Sequence, residues 1–360
     1  MLSERMPQHK PTVSANQMSH IDAANRADLG WFAYGMVILS AWYLGGLYLD
    51  GWAHSHGRVD TTFFTPWHAV FYSGFLAVAL LVGGMVARGV LAGAHWQEAL
   101  PPGYGLALIG IPLFAFGGVA DLIWHELFGI EESVEALLSP SHLLLAISMA
   151  MILISPARSA WQSSLQGRIP VPVVLALAFT ICLITFMTQF GHPFVYLLAL
   201  TSRNDAENAL GVSAIILQSA LLIGFLQAMW RRWEVPFGVL TSIVALNVML
   251  MSVIEDRYRL ISFVIAGALL ADLITTSLCM RFRDVWVLRL CATLTPILIY
   301  AGYMVALAQM ARLAWSIHLW MGSLVAAGLA GLAISILATP ATISHLEHQQ
   351  GHHQGATVQE

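Results

Sequence analysis

Charge is scarce in this chain. Only 10% of its 360 residues are Asp, Glu, Lys or Arg, against 58% apolar. A soluble domain of average make-up carries about 25% charged residues, so a surface this poor in charge cannot face water, and the chain reads as an integral membrane protein. Lysine is almost missing: Lys10 stands alone and the remaining basic residues are arginines. The formal net charge of -4 argues against nucleic acid as a partner. Cysteine is limited to Cys182, Cys279 and Cys291, each inside an apolar run, which fits packing and suggests neither a disulfide framework nor a cysteine metal site. Flavin, nicotinamide, iron–sulfur and serine-hydrolase motifs are lacking too. An oxidase built on this chain would therefore need an external electron donor or a partner subunit.

What is present is a series of apolar runs. A membrane helix needs roughly 20 apolar residues to cross a hydrocarbon core of about 30 Å. By that rule the sequence predicts an all-α polytopic bundle of about ten transmembrane helices with short loops. They fall near 29–54, 67–92, 103–128, 140–156, 170–198, 209–230, 236–254, 259–280, 286–310 and 314–338, the fifth open to a bend at Pro193. Residues 1–28 are polar, with neither an apolar core nor a small-residue cleavage site, and are expected to be a cytoplasmic tail, not a signal peptide. Residues 29–338 form the membrane domain. Residues 339–360, with His345, His348, His352 and His353, read as a His-rich flexible tail.

Basic residues then set the orientation. Arg5, Lys10, Arg26, Arg88, Arg158, Arg168, Arg231, Arg232, Arg281, Arg283 and Arg289 fall on one side; Arg58, Arg203, Arg257, Arg259 and Arg312 fall on the other. The richer side is expected to be cytoplasmic, with both termini, in a cell inner (plasma) membrane.

Against this apolar background one polar pattern occurs twice. Asp50-x3-His54 is followed by Thr65-Pro66-x-His68, and Asp121-x3-His125 by Ser139-Pro140-x-His142. Residues four apart share a helix face, so Asp-x3-His presents a carboxylate and an imidazole in one direction. In Ser/Thr-Pro-x-His the hydroxyl residue suits the N-cap and proline the first helical position, which puts the histidine in the first turn. There the helix dipole disfavours imidazolium. Each hairpin thus offers one Asp and two His, a donor set suited to a transition metal. Asp121 lies about two turns inside its run, where a charge is expensive unless paired or functional. Further ligands or partners that orient them are sought in His56, Glu126, His192, Glu255, Asp256 and His318, which the topology places on the same outer side. Asp272 lies deeper and has no assigned role.

The pair of hairpins resembles the C subunit of copper-dependent membrane monooxygenases, which carries similar Asp-x3-His and Asn-x3-His motifs, each with a later His. The resemblance covers these two hairpins only, and the second histidine gap is wider here. It implies copper on the outer side and oxidation of a small, poorly polar substrate. The favoured expectation is an oxidoreductase of monooxygenase or hydroxylase type, using one or two copper or iron ions on an apolar or lipid-like substrate. Two other functions fit the same residues: a transition-metal transporter or metal-handling protein with Asp272 along its path, and a zinc-dependent membrane hydrolase.

Overall fold

The computed structural model describes residues 15–58, 64–129, 134–163, 167–281 and 284–338, with backbone alone for 15–29 and 280–281. Among the described residues the chain is all-α, apart from one isolated bridge between Arg168 and Glu234. The elements are α1 (Ala15–Ser55), α2 (Pro66–Leu91), α3 (Gly105–Phe128), α4 (Glu135–Leu138), α5 (Pro140–Leu153), α6 (Ser155–Gln162), α7 (Val171–Met187), α8 (Pro193–Tyr196), α9 (Leu198–Thr201), α10 (Asp205–Arg232), α11 (Val239–Ile254), α12 (Ile261–Arg281), α13 (Val285–Met310) and α14 (Ile317–Ala338). The N-terminal helix begins at Ala15, inside the segment expected to be a tail. The C-terminal histidines lie outside the described residues.

Among the described residues eight helices are long and apolar enough to cross a bilayer, against the ten expected, and α5 with α6 makes one of them, Pro140–Gln162. The remaining two apolar helices, α7 and α11, have 17 and 16 residues, about 24–26 Å at 1.5 Å per residue. The fifth predicted run stops early because the chain leaves the helix at Thr188, makes a short 3-10 turn at Gln189–Gly191, and restarts at Pro193. Shortness is tolerated at α7 because it is buried on nearly all sides, from Pro172 to Phe186. A helix apolar all round belongs inside a bundle, where protein, not lipid, meets its ends.

Packing divides the membrane domain around that core. The α1–α2 and α3–α5 hairpins pack closely within themselves, α10, α12, α13 and α14 form a second group, and α7 and α11 lie between. The α1–α2 crossing is tight at two glycines. A Cβ on Gly46 would sit 2.6 Å from Phe71 Cα, and one on Gly74 would sit 2.6 Å from Tyr43 Cα. Small residues let membrane helices approach this closely, and this crossing draws Asp50 and His68 to one point.

Asp272, unassigned by the sequence, has a structural role. It is 1% exposed, and its Oδ2 accepts hydrogen bonds from Gly238 N (2.9 Å), Thr241 N (3.0 Å) and Thr241 Oγ1 (2.9 Å), while Thr276 Oγ1 donates to Oδ1 at 3.1 Å. Gly238 is the N-cap of α11 and has no capping side chain of its own. Asp272 on α12 therefore caps α11 from a neighbouring helix, satisfying orphan N–H groups and placing negative charge at the positive end of the dipole.

Candidate metal centre

Each triad is assembled by local rules legible in its residues. Thr65 caps α2, accepting from His68 N at 3.1 Å, and Ser139 caps α5, accepting from His142 N at 3.4 Å; proline opens both helices. The caps fix the second histidine of each hairpin in the first helical turn. The last turns of α1 and α3 supply the Asp-x3-His pairs. The wider gap of the second hairpin accommodates α4, whose Ala136 and Leu137 border the site.

In the first triad His54 Nε2 lies 3.8 Å and His68 Nε2 3.4 Å from Asp50 Oδ2. In the second, His125 Nε2 lies 3.6 Å and His142 Nε2 3.1 Å from Asp121 Oδ1. The donor atoms of each triad lie within 4.8 Å of one another. Ligands bound tetrahedrally at about 2.0–2.1 Å are separated by about 3.3 Å, so either set closes on one ion with small side-chain movements. The second triad is the more buried: side-chain exposure is 2% for Asp121 and 7% for His125, against 13% for Asp50 and 31% for His54.

Hydrogen bonds orient the rings. His125 Nδ1 lies 3.4 Å from Gly129 O. A carbonyl only accepts, so this contact suits the tautomer with the proton on Nδ1, which leaves Nε2 as the ring atom on the side of Asp121. His142 Nδ1 lies 2.9 Å from Ser139 Oγ, which in turn lies 3.3 Å from Ser141 Oγ; a hydroxyl donates or accepts, so the serine can hold either tautomer, and the one with the proton on Nδ1 presents Nε2 to a metal beside Asp121. Metal-bound histidines characteristically anchor the other ring nitrogen like this. In each triad the Nε2 atoms stand beside the carboxylate, where a shared cation would be coordinated by both. The carboxylates repeat the point: Asp50 Oδ1 and Asp121 Oδ1 are buried without an aligned hydrogen-bond donor among the described residues, a costly state for an acceptor that a metal ion would relieve.

Both triads line a single cavity of about 600 Å³. Its polar lining also includes Tyr72, Gln189, Tyr196 and Glu255, and its apolar lining includes Phe71, Leu145, Met149, Leu183, Phe186 and Met187. Beneath it Phe71, Tyr43, Phe75 and Phe114 pack ring to ring, with centroids 4.4–6.0 Å apart. Tyr72, one turn after His68, sits against α3 at Gly118, where a Cβ would meet its ring carbon at 2.9 Å. The sequence signal for Tyr72 is its i+4 spacing from His68, which places both on one face of α2.

The further candidates separate. Glu255 borders the cavity. His56 and Asp256 do not; they pair with each other, Nε2 to Oδ2 at 3.0 Å, while His56 Nδ1 lies 2.9 Å from Trp52 O. Asp256 Oδ1 also accepts from Tyr258 at 2.8 Å. Both ring nitrogens of His56 face acceptors, and the hydrogen bonds to Trp52 O and Asp256 raise its pKa, while those from Tyr258 and His56 lower that of Asp256. Glu126 and His318 are exposed and outside the cavity. His192 is 1% exposed and caps α8, its Nδ1 accepting from Phe194 N at 3.1 Å; burial pushes it down to about 3.

Comparison with protein-family models, with characterised proteins and with solved structures gave no match. The fold and the two triads therefore define the class directly: a multi-pass α-helical membrane protein with two Asp/His/His clusters capable of coordinating metal.

Proposed function

We propose that this chain is a membrane metalloenzyme, an oxidoreductase of monooxygenase or hydroxylase type that holds copper or iron in its paired Asp/His/His triads and acts on an apolar or lipid-like substrate. The observation that carries the proposal is the convergence of two such triads on one cavity, each with a buried carboxylate oxygen. Asp50, His54 and His68 would hold one ion, and Asp121, His125 and His142 a second. Three protein ligands leave coordination positions open, as catalytic sites require and closed structural sites do not. When bound, such an ion supplies the oxygen and one-electron chemistry that side chains lack. The chain's own part is to fix the ligand rings through Ser139 and Gly129, to exclude water with the aromatic floor, and to seat an apolar substrate against Phe71, Leu145 and Phe186. His56, Glu126, His192, Asp256 and His318 stand outside the proposed ligand set, and Glu255 stands at its edge.

The basic-residue bias supports a cytoplasmic position for both termini and an outer position for the cavity, in a cell inner membrane, with 29–338 as the membrane domain between two tails. A transport role draws less support, because the carboxylate deepest in the later helices, Asp272, is saturated as a helix cap. The test is turnover: membranes loaded with copper or iron and given an artificial reductant should consume oxygen and hydroxylate apolar substrates, and His54→Ala and His125→Ala should abolish this. Hydrolysis of lipid esters with zinc, and no oxygen uptake with copper or iron, would replace the proposal with a zinc hydrolase.

A further inference from the structure

A second cavity, of about 770 Å³, lies at the other end of the bundle. The segment before α7, the α10–α11 connection and the end of α12 meet there. α7 and α11 run from this cleft to the triad cavity, which separates the two by roughly 24 Å. Its lining includes Arg168, Arg231 and Arg232, together with Trp230 and Trp233. The lining carboxylates are Glu234 and Asp272, and the second is committed to capping α11.

The three arginines have donors to spare. Arg232 gives one N–H to Ser163 O at 2.8 Å and stacks over Trp233 with its guanidinium carbon 5.6 Å from the ring centroid. Arg231 gives one N–H to Ala338 O. A guanidinium carries five N–H donors, and among the described residues none of the three has a carboxylate within ion-pair distance. A second, independent observation points the same way. Trp233 is 6% exposed, lines the cleft, and its indole Nε1 is buried with no acceptor among the described residues. An indole N–H only donates. The cleft thus presents unspent donors and a net positive charge, with three guanidiniums set against Glu234 and an Asp272 already committed to its cap.

We propose that this cleft is a binding site for the phosphate group of an anionic phospholipid. Phosphate oxygens are acceptors only, and planar guanidinium forks match them bidentately. The level of the site selects a lipid over free phosphate. Arg232 ends one membrane span, Cys279 ends another and Val285 begins a third, so the cleft opens where headgroups lie. Trp161, packed on Trp233 with centroids 5.4 Å apart, and Trp286, stacked under Arg289 at 4.7 Å, give this end the aromatic belt of an interface. Basic pockets between membrane helices on the cytoplasmic side characteristically take such headgroups.

The full-length protein, delipidated in a neutral detergent, is titrated with short-chain phosphatidylglycerol, with phosphatidylcholine and with inorganic phosphate, and binding is followed by native mass spectrometry and by tryptophan fluorescence. Phosphatidylglycerol should bind, and the Arg168→Gln/Arg231→Gln double variant should weaken it about thirtyfold. Trp233→Phe should weaken it severalfold with the arginines intact, and Arg312→Gln, at the opposite end, should leave it unchanged. Melting curves of the lipid-free variants that overlay wild type establish that the fold survives; a variant that fails this is replaced by its Lys counterpart, which should restore part of the affinity. Equal affinity for phosphatidylcholine, saturation by inorganic phosphate at the same site, or an unaltered affinity in the double variant would overturn the assignment.

Discussion

Asp272 offers the sharpest separation between a scaffold and a pathway. Replacing it by alanine strands four donors: Gly238 N, Thr241 N, Thr241 Oγ1 and Thr276 Oγ1. Each buried donor left unsatisfied costs about 1–3 kcal/mol. The hydroxyls can turn to other acceptors, so the two backbone N–H groups dominate and the loss should be about 3–5 kcal/mol. Asparagine keeps an acceptor toward α11 and lets Thr276 accept in place of donating. It loses mainly the charge assistance and the dipole interaction, about 1 kcal/mol. Equilibrium unfolding in mixed micelles should therefore rank wild type, Asp272→Asn and Asp272→Ala in that order, with the larger gap at the second step. Asp272→Ala as stable as wild type would refute the cap. Wild-type stability in Asp272→Asn combined with loss of metal uptake by sealed vesicles would make Asp272 a transport group instead.

Other outcomes follow from the same geometry. Ser139→Ala removes both the α5 cap and the anchor of His142; it should cost about 1 kcal/mol in stability and weaken metal at the Asp121 triad about 10–100-fold, read by competition with a chromophoric chelator. Gly74→Ala drives a Cβ to within 2.6 Å of Tyr43 Cα, so α1 and α2 must part at a cost of about 1–3 kcal/mol, and metal should be lost from the Asp50 triad while the Asp121 triad keeps its own. His192, held down to about 3 by burial, binds its proton more readily when unfolded. Its contribution to stability is complete above its unfolded value near 6.5 and is lost as pH falls from there toward 3. Between pH 7 and pH 5 that loss is about 2 kcal/mol, and His192→Asn, which can still cap α8 through its side-chain oxygen, should show a flatter pH–stability curve over the same interval.

The parts of this molecule that were legible from residues alone are those governed by local rules. Thr65-Pro66-x-His68 and Ser139-Pro140-x-His142 announce capped helix starts, and Asp-x3-His announces a shared face, so the members of each triad are marked by local spacing alone. Helix lengths were less legible, because α7 is as apolar as a spanning helix and only the unwinding from Thr188 to Pro193 shortens it. Roles that depend on distant partners could not be read at all. Asp272 meets Gly238 and Thr241 from another helix, and His56 finds Asp256 two hundred residues away. A lone ionisable residue in an apolar chain carries the same sequence signal whether it binds a metal or caps a helix; its neighbours decide.

The central claim is that the two triads each hold a metal ion, and metal content measures it most directly. Protein purified from membranes grown with copper and iron should carry close to two transition-metal ions per chain, falling by one in His54→Ala and by one in His125→Ala, with paramagnetic spectra showing nitrogen ligation in the wild type. Wild-type protein that binds no transition metal, or that keeps its full complement in both variants, would contradict the account.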